Sequence, residues 1–331
     1  MFKFKSKTKY TWEGWESSGK EDWVFGVKHP CELMGVHAML IDKELKADEK
    51  IESCLYSPRT SSTSTPFGLV VEESSYGLCV TDKRFIISKD RHVKEIEPTV
   101  TSIDFDDVLY FHIGSVLLLS WFSVTYAKDN KVNTVSIIFG SNGKHHFEKA
   151  LRAYKKYRST INTDESSMDT FWAGSFLHKI KDSIHRSHLK TLISVNEKCI
   201  LTFSCRYIWE KILYKRSLLK RKNRVAYLTS KATVLLTNKA LIIARDGVEH
   251  SIGNSVDILN ISLDKVKSII LFDEFVDSEK IHKLKISFNK ETRQHILEIG
   301  VTDIDEETKI LLNDILLLLN KTPSLNAPWH K

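Results

Sequence analysis

Residues 210–224 carry the densest chemistry in the chain. Their bases are Lys211, Lys215, Arg216, Lys220, Arg221, Lys222 and Arg224. Seven bases against the single acid Glu210 leave +6, nearly all of the formal net charge of +7, so the other residues are close to neutral. Lys and Arg side chains converging on a phosphorylated group make charge-assisted contacts, and Arg adds bidentate ones. Beside an anionic membrane each such cation adds about 1 kcal/mol. Tyr207, Ile208, Trp209, Leu213, Tyr214, Leu218 and Leu219 interleave with the charges. Trp209, Tyr214 and Leu218 are therefore candidates for membrane or partner contact, since Trp and Tyr favour the head-group level. An anionic membrane, an acidic protein, nucleic acid and a merely solvated hairpin all fit this stretch; nucleic acid is the least favoured ligand.

The other constellations are sparser. His145 and His146 are adjacent and expected to diverge, whereas metal ligation needs convergence. His178, His185 and His188 fall along one expected helix without an evident third ligand. Glu72-Glu73 and Asp104-Asp106-Asp107 have the composition of acid–base pairs, but carboxylates at turns and strand starts are far commoner. GxxxxGK[ST], GxGxxG, GxSxG and HExxH are absent from the sequence. The expectation is a non-enzymatic protein without cofactor, metal or small-molecule substrate.

The elements that would position these residues occur twice. Glu49-Lys50-Ile51 leads into Cys54 to Arg59, and Glu197-Lys198-Cys199 leads into Leu201 to Arg206. Leu78 to Ile87, with Thr81-Asp82-Lys83 at its centre, is echoed by Val234 to Ile243, with Thr237-Asn238-Lys239. Ile103 to Val108 is echoed by Ile261 to Val266. Order and spacing agree, so one module of fold is duplicated. In module one, strands are expected at 51–57, 68–72, 76–81, 84–88, 107–113, 116–126 and 133–139, followed by a helix from His146 to Tyr157. Module two repeats the pattern over 199–300 and closes with a helix from Asp303 to Asn320. Helices over 31–47 and from Phe176 to Val195 lead the two modules. The polar residues 159–172 are the best linker. By this alignment the basic stretch joins the first and second strands of module two. The module-one equivalent, Ser57 to Pro66, carries only Arg59.

The chain has 331 residues, enough for two domains that each bury a core. Five cysteines without a CxxC pair argue against a disulfide framework or zinc ribbon. Cys54, Cys79, Cys199 and Cys205 read as buried thiols in a reducing cytoplasm. The N-terminus lacks the apolar region of a secretory signal, and the longest apolar run, Ile113 to Val124, is too short to span a bilayer. In the terminal helix, Ile310, Leu311, Leu312 and Ile315 to Leu319 point in most directions. Such a helix is expected to be buried on several sides, which makes Leu312, Leu316 and Leu318 candidate interface residues, between the modules or in a homo-oligomer.

Thr81-Asp82-Lys83-Arg84-Phe85-Ile86-Ile87 and Thr237-Asn238-Lys239-Ala240-Leu241-Ile242-Ile243 resemble the T-[DN]-x-R-[LIV]-I strand of bacterial pleckstrin-homology-like (PH-like) and GRAM-like domains. The following Ile-x-[Phe/Leu]-Asp-x-Val segments are similar to that family as well. Ala240 departs from the family pattern where Arg84 keeps it. The resemblance implies an α+β protein of two tandem PH-like domains. Each would be a bent antiparallel barrel or sandwich of about seven strands capped by a C-terminal helix. The implied divisions are an aromatic and basic segment 1–30, domain one over 31–160, a linker 161–173, domain two over 174–322 and a tail 323–331. The resemblance also implies a binding or scaffolding role in a bacterial cytoplasmic protein, peripheral at the inner membrane face. In such domains the first connection between strands commonly holds phosphoinositide head groups.

Overall fold

The computed structural model describes residues 24–62, 71–90, 97–116, 119–161, 177–193, 197–214, 224–246, 255–276, 279–288 and 295–321. They form an α+β protein dominated by antiparallel sheet. Two compact units divide it: residues 1–108, 118–123 and 135–163, and residues 109–117, 124–134 and 164–331.

In the first unit the strands are β1 (Phe25–Val27), β2 (Ile51–Ser57), β5 (Tyr76–Thr81), β6 (Arg84–Lys89) and β7 (Thr99–Asp104), hydrogen-bonded in the order β1-β2-β5-β6-β7. A separate hairpin pairs β3 (Thr60–Ser62) with β4 (Val71–Glu73). The apolar runs of β5 and β6 are buried throughout, because both faces of this sheet are covered. Helix α1 (Val36–Glu44) covers one face, where Leu33, Met34 and Ile41 pack on Cys54, Tyr56, Cys79 and Ile86. On the other face Phe85 meets Phe105, Phe122 and Tyr154. Phe147 stacks on Phe139 at 3.9 Å. Phe147 and Tyr154 belong to α2 (Lys144–Ile161), whose apolar stripe is the one the sequence indicates.

Gly143 precedes that helix and is a packing glycine. A Cβ there would lie 2.3 Å from the Val24 Cβ, and Val24 is buried. Gly143→Ala is expected to lower stability by about 1–3 kcal/mol through overpacking. The urea midpoint reads this loss; none in the variant would refute this contact.

The second unit contains β11 (Cys199–Tyr214), β12 (Arg224–Thr237), β13 (Ala240–Asp246), β14 (Val256–Ser262), β15 (Val266–Val276), β16 (Glu279–Phe288) and β17 (Ile296–Thr302). It also takes β8 (Val108–Val116) from Leu109 on, and residues 124–134 of the hairpin between β9 (Leu119–Lys128) and β10 (Lys131–Gly140). The reason is pairing: β8 binds β14 from Tyr110↔Ile261 to Ser115↔Val256. The strand order is β8-β14-β13-β12-β11-β17-β16-β15. Helix α3 (Ser183–Leu192) packs on β13 and α4 (Glu306–Lys321) on β15. The Asn320 side-chain amide closes on the backbone of Ile269, accepting from its N–H at 3.0 Å and donating to its carbonyl at 2.8 Å. This satisfies polar groups that an edge strand otherwise leaves open. No helix of the described residues is long and apolar enough to cross a membrane.

Candidate functional site

The basic stretch is not a single loop. β11 runs on to Tyr214 and β12 starts at Arg224, with Lys211↔Tyr227 and Tyr214↔Arg224 in register. Lys211, Tyr214 and Arg224 are thus strand residues. Trp209 is the extra residue of a β-bulge between Ile208↔Thr229 and Glu210↔Leu228. Bulges bend a strand and re-aim its end. Lys215, Arg216, Leu218, Lys220, Arg221 and Lys222 lie outside the described residues. The two strands that flank this stretch are 16 and 14 residues long.

The terminal helix is sided, not buried all round. Leu312 and Leu316 are buried in the core of the second unit. Leu318 is 53% exposed and shares the outer surface with Ile310, Leu311 and Leu317.

The duplicated motif is repeated bond for bond. In the first copy the Thr81 hydroxyl accepts from Lys83 N and Arg84 N, and in the second Thr237 accepts from Lys239 N and Ala240 N. Asp82 Oδ1 accepts from Lys50 N at 3.0 Å, and Asn238 Oδ1 from Lys198 N at 2.9 Å. Asp or Asn serves because this contact needs only a side-chain carbonyl oxygen. The copies differ at Arg84. Its Nε lies 2.8 Å from Glu49 Oε1, and its Nη2 donates to Glu49 Oε2 at 3.0 Å and to the Glu44 carbonyl. Where Ala240 replaces it, Glu197 instead accepts from the Thr237 hydroxyl at 2.6 Å.

The sequence reading passes over His37 and takes His185 only as one of three histidines along a helix. His37 of α1 and His185 of α3 are each 1% exposed. His37 Nδ1 pairs with Ser88 Oγ at 2.9 Å and Nε2 with Ser75 Oγ at 3.1 Å. His185 Nδ1 pairs with Thr233 Oγ1 and Nε2 with Asp246 Oδ1, both at 3.0 Å. The hydroxyl on Nδ1 comes from opposite members of one cross-strand pair: Ser88 opposes Gly77, and Thr233 opposes Ala244. A Cβ at Gly77 would meet Ser88 Oγ at 2.6 Å and His37 Cβ at 2.9 Å, so only one of the two strands has room for a hydroxyl-bearing side chain. Each histidine lies twelve residues before the Glu that opens its block, a spacing visible in the sequence. Thr233, His185 and Asp246 have the composition of a nucleophile relay. Thr233 is only 2% exposed, however, so the arrangement fastens α3 to the sheet.

The remaining candidates scatter. His178 is in a separate short turn (Leu177–Lys179), not on the helix of His185. His145 and His146 do not diverge; their ring centres are 3.9 Å apart. Asp106 accepts from the Tyr157 hydroxyl at 3.1 Å and lies 3.4 Å from Arg158 Nη1 at the surface. Cys54 and Cys79 face each other across β2 and β5 as free thiols. Burial pushes the Cys205 thiol up to about 12, which leaves almost no reactive thiolate at neutral pH.

Among solved structures the chain is similar to the hSac2 domain from human phosphoinositide phosphatase Sac2, with 16% identity, a TM-score of 0.26, and coverage of 40% of this chain and 74% of that chain. A likeness at that score carries no functional argument. No curated protein matches the chain. Residues 45–156 match the family model described as Bacterial PH domain, so the chain carries a PH-like domain over that stretch.

Proposed function

We propose that this chain is a non-enzymatic binding and scaffolding protein built from two PH-like modules. Its second module contacts anionic phospholipid through Lys211, Lys215, Arg216, Lys220, Arg221, Lys222 and Arg224, peripherally at the inner face of the membrane. The observation that supports the reading is the pairing of β11 with β12 out to Tyr214↔Arg224, on either side of a connection in whose sequence most of the chain's net charge is concentrated. That connection corresponds to the first one of the matched PH-like domain, and the turn hydrogen bonds recur in both copies.

Full-length protein is expected to sediment with phosphatidylserine-containing vesicles at low salt and to be released as salt rises. It should not sediment with neutral vesicles. Charge reversal at Lys220, Arg221 and Lys222 loses at least about 3 kcal/mol, roughly a hundredfold in partitioning. Equal sedimentation with neutral vesicles, or a triple variant that still binds, would retire the membrane reading.

A second reading is favoured by the outer surface of α4, where Ile310, Leu311, Leu317 and Leu318 are each 47–61% exposed. There the chain assembles with a partner or a second copy while the basic hairpin stays solvated.

A further inference from the structure

We propose that Asp182, His185 and Asp246 form a binding site for a divalent transition-metal ion of the zinc class. Each offers one ligand atom, and these atoms all lie within 4.8 Å of one another. Tetrahedral bonds of about 2.0–2.2 Å from one ion put ligand atoms about 3.4 Å apart, so the widest pair must close by up to about 1.4 Å when the ion binds.

The surroundings hold the ligands in place. Asp182 is the N-cap of α3, and its Oδ1 accepts from Ile184 N at 2.9 Å and His185 N at 3.0 Å. One carboxylate oxygen is thereby fixed by backbone while the other stays available. Thr233 Oγ1, 3.0 Å from His185 Nδ1, sets the ring so that Nε2 addresses Asp246 Oδ1. An imidazole whose second nitrogen meets a hydrogen-bonding group is the usual outer support of a histidine ligand. Without metal, the Nε2 proton bridges to Asp246. On binding, the imidazole keeps its one proton, now on Nδ1 and donated to Thr233 Oγ1, and the ion takes the Nε2 lone pair in place of the contact with Asp246. The Asp246 side chain is 28% exposed, which opens a path for the ion and for a water as fourth ligand. One imidazole with two carboxylates suits zinc, cobalt or manganese better than calcium or magnesium, which take oxygen donors alone.

The duplication supplies a contrast within the same chain. Three residues before His37 stands Met34, where the second copy has Asp182 before His185. Asp90 occupies the place of Asp246, nine residues after the turn threonine, but it pairs with Arg59 at 3.3 Å, and Ser75 takes the His37 Nε2. The first copy lacks the three-ligand set on the same scaffold.

The test is titration of the full chain with Co²⁺, followed by visible absorption and by competition with Zn²⁺. One equivalent of Co²⁺ is expected, displaced by Zn²⁺, with Zn²⁺ raising the melting temperature. Asp182→Asn keeps the cap, since Asn caps as well as Asp, and Asp246→Asn keeps an acceptor for His185. Both variants should fold, melt close to the wild type without metal, and lose at least about tenfold in affinity. No bound Co²⁺ in the wild type at about tenfold molar excess, or full affinity in both variants, overturns the proposal.

Discussion

Replacing Arg84 with alanine is expected to lower the unfolding free energy by about 3–5 kcal/mol, the cost of leaving a buried charge without its partner. Arg84 is 5% exposed and the Glu49 side chain 2%, so water cannot replace the guanidinium. The Glu44 carbonyl at the end of α1 loses its donor as well. The double variant Glu49→Gln/Arg84→Ala should recover much of the loss, because a neutral amide costs far less to bury than a carboxylate. The second copy makes the same point natively: Ala240 is tolerated there with the Thr237 hydroxyl donating to Glu197. Urea midpoints at constant m decide the matter. A single-variant loss below about 1 kcal/mol, or a double variant no better than the single, would show that the pair does not hold α1 to the sheet. The family-like arginine is then a structural residue, already engaged, and not an anion ligand.

This residue also shows where reading the sequence stops. The Thr-[Asp/Asn]-Lys turns and the apolar runs of β5 and β6 are legible because local chemistry decides them: a hydroxyl and a side-chain oxygen meet backbone N–H groups within a few positions. β7, read as no element, has the sequence Thr-Val-Thr-Ser-Ile-Asp, and only pairing with β6 makes it a strand. The leading helices are shorter than their periodicity suggests. Gly35, at φ +57°, bounds α1, and the Asp182 cap starts α3 within the expected span. The run of leucines in α4 hides its sidedness, since only burial separates Leu316 from Leu317. His185 and Asp246 are 61 positions apart, so no local pattern joins them. Their spacing to the duplicated glutamates and threonines was the available signal. The basic stretch, by contrast, is legible as charge, while its strand boundaries depended on the ladder between β11 and β12.

Stability of the first unit is expected to fall by about 3 kcal/mol between pH 6.5 and pH 4 because of His37 alone. Burial holds the His37 imidazole down to about 4, only partly opposed by the negative charge of Asp90. The groups facing the ring are the Ser75 and Ser88 hydroxyls, and Asp90 is itself paired with Arg59. In the unfolded chain the same imidazole protonates near 6.5. Below that pH the unfolded state takes up a proton that the folded state refuses, so stability is full above the unfolded value and drops as pH falls. The slope is about 1.4 kcal/mol per pH unit, and it levels off once the folded histidine also titrates near 4. His146, also held at about 4, adds a smaller step because it is only partly buried. His37→Gln should remove close to one proton from the pH dependence of denaturant-measured stability and leave the His146 contribution in place. An unchanged slope in that variant would mean that His37 takes up its proton in the folded protein as it does in the unfolded chain, and that burial between α1 and the sheet does not hold the ring neutral.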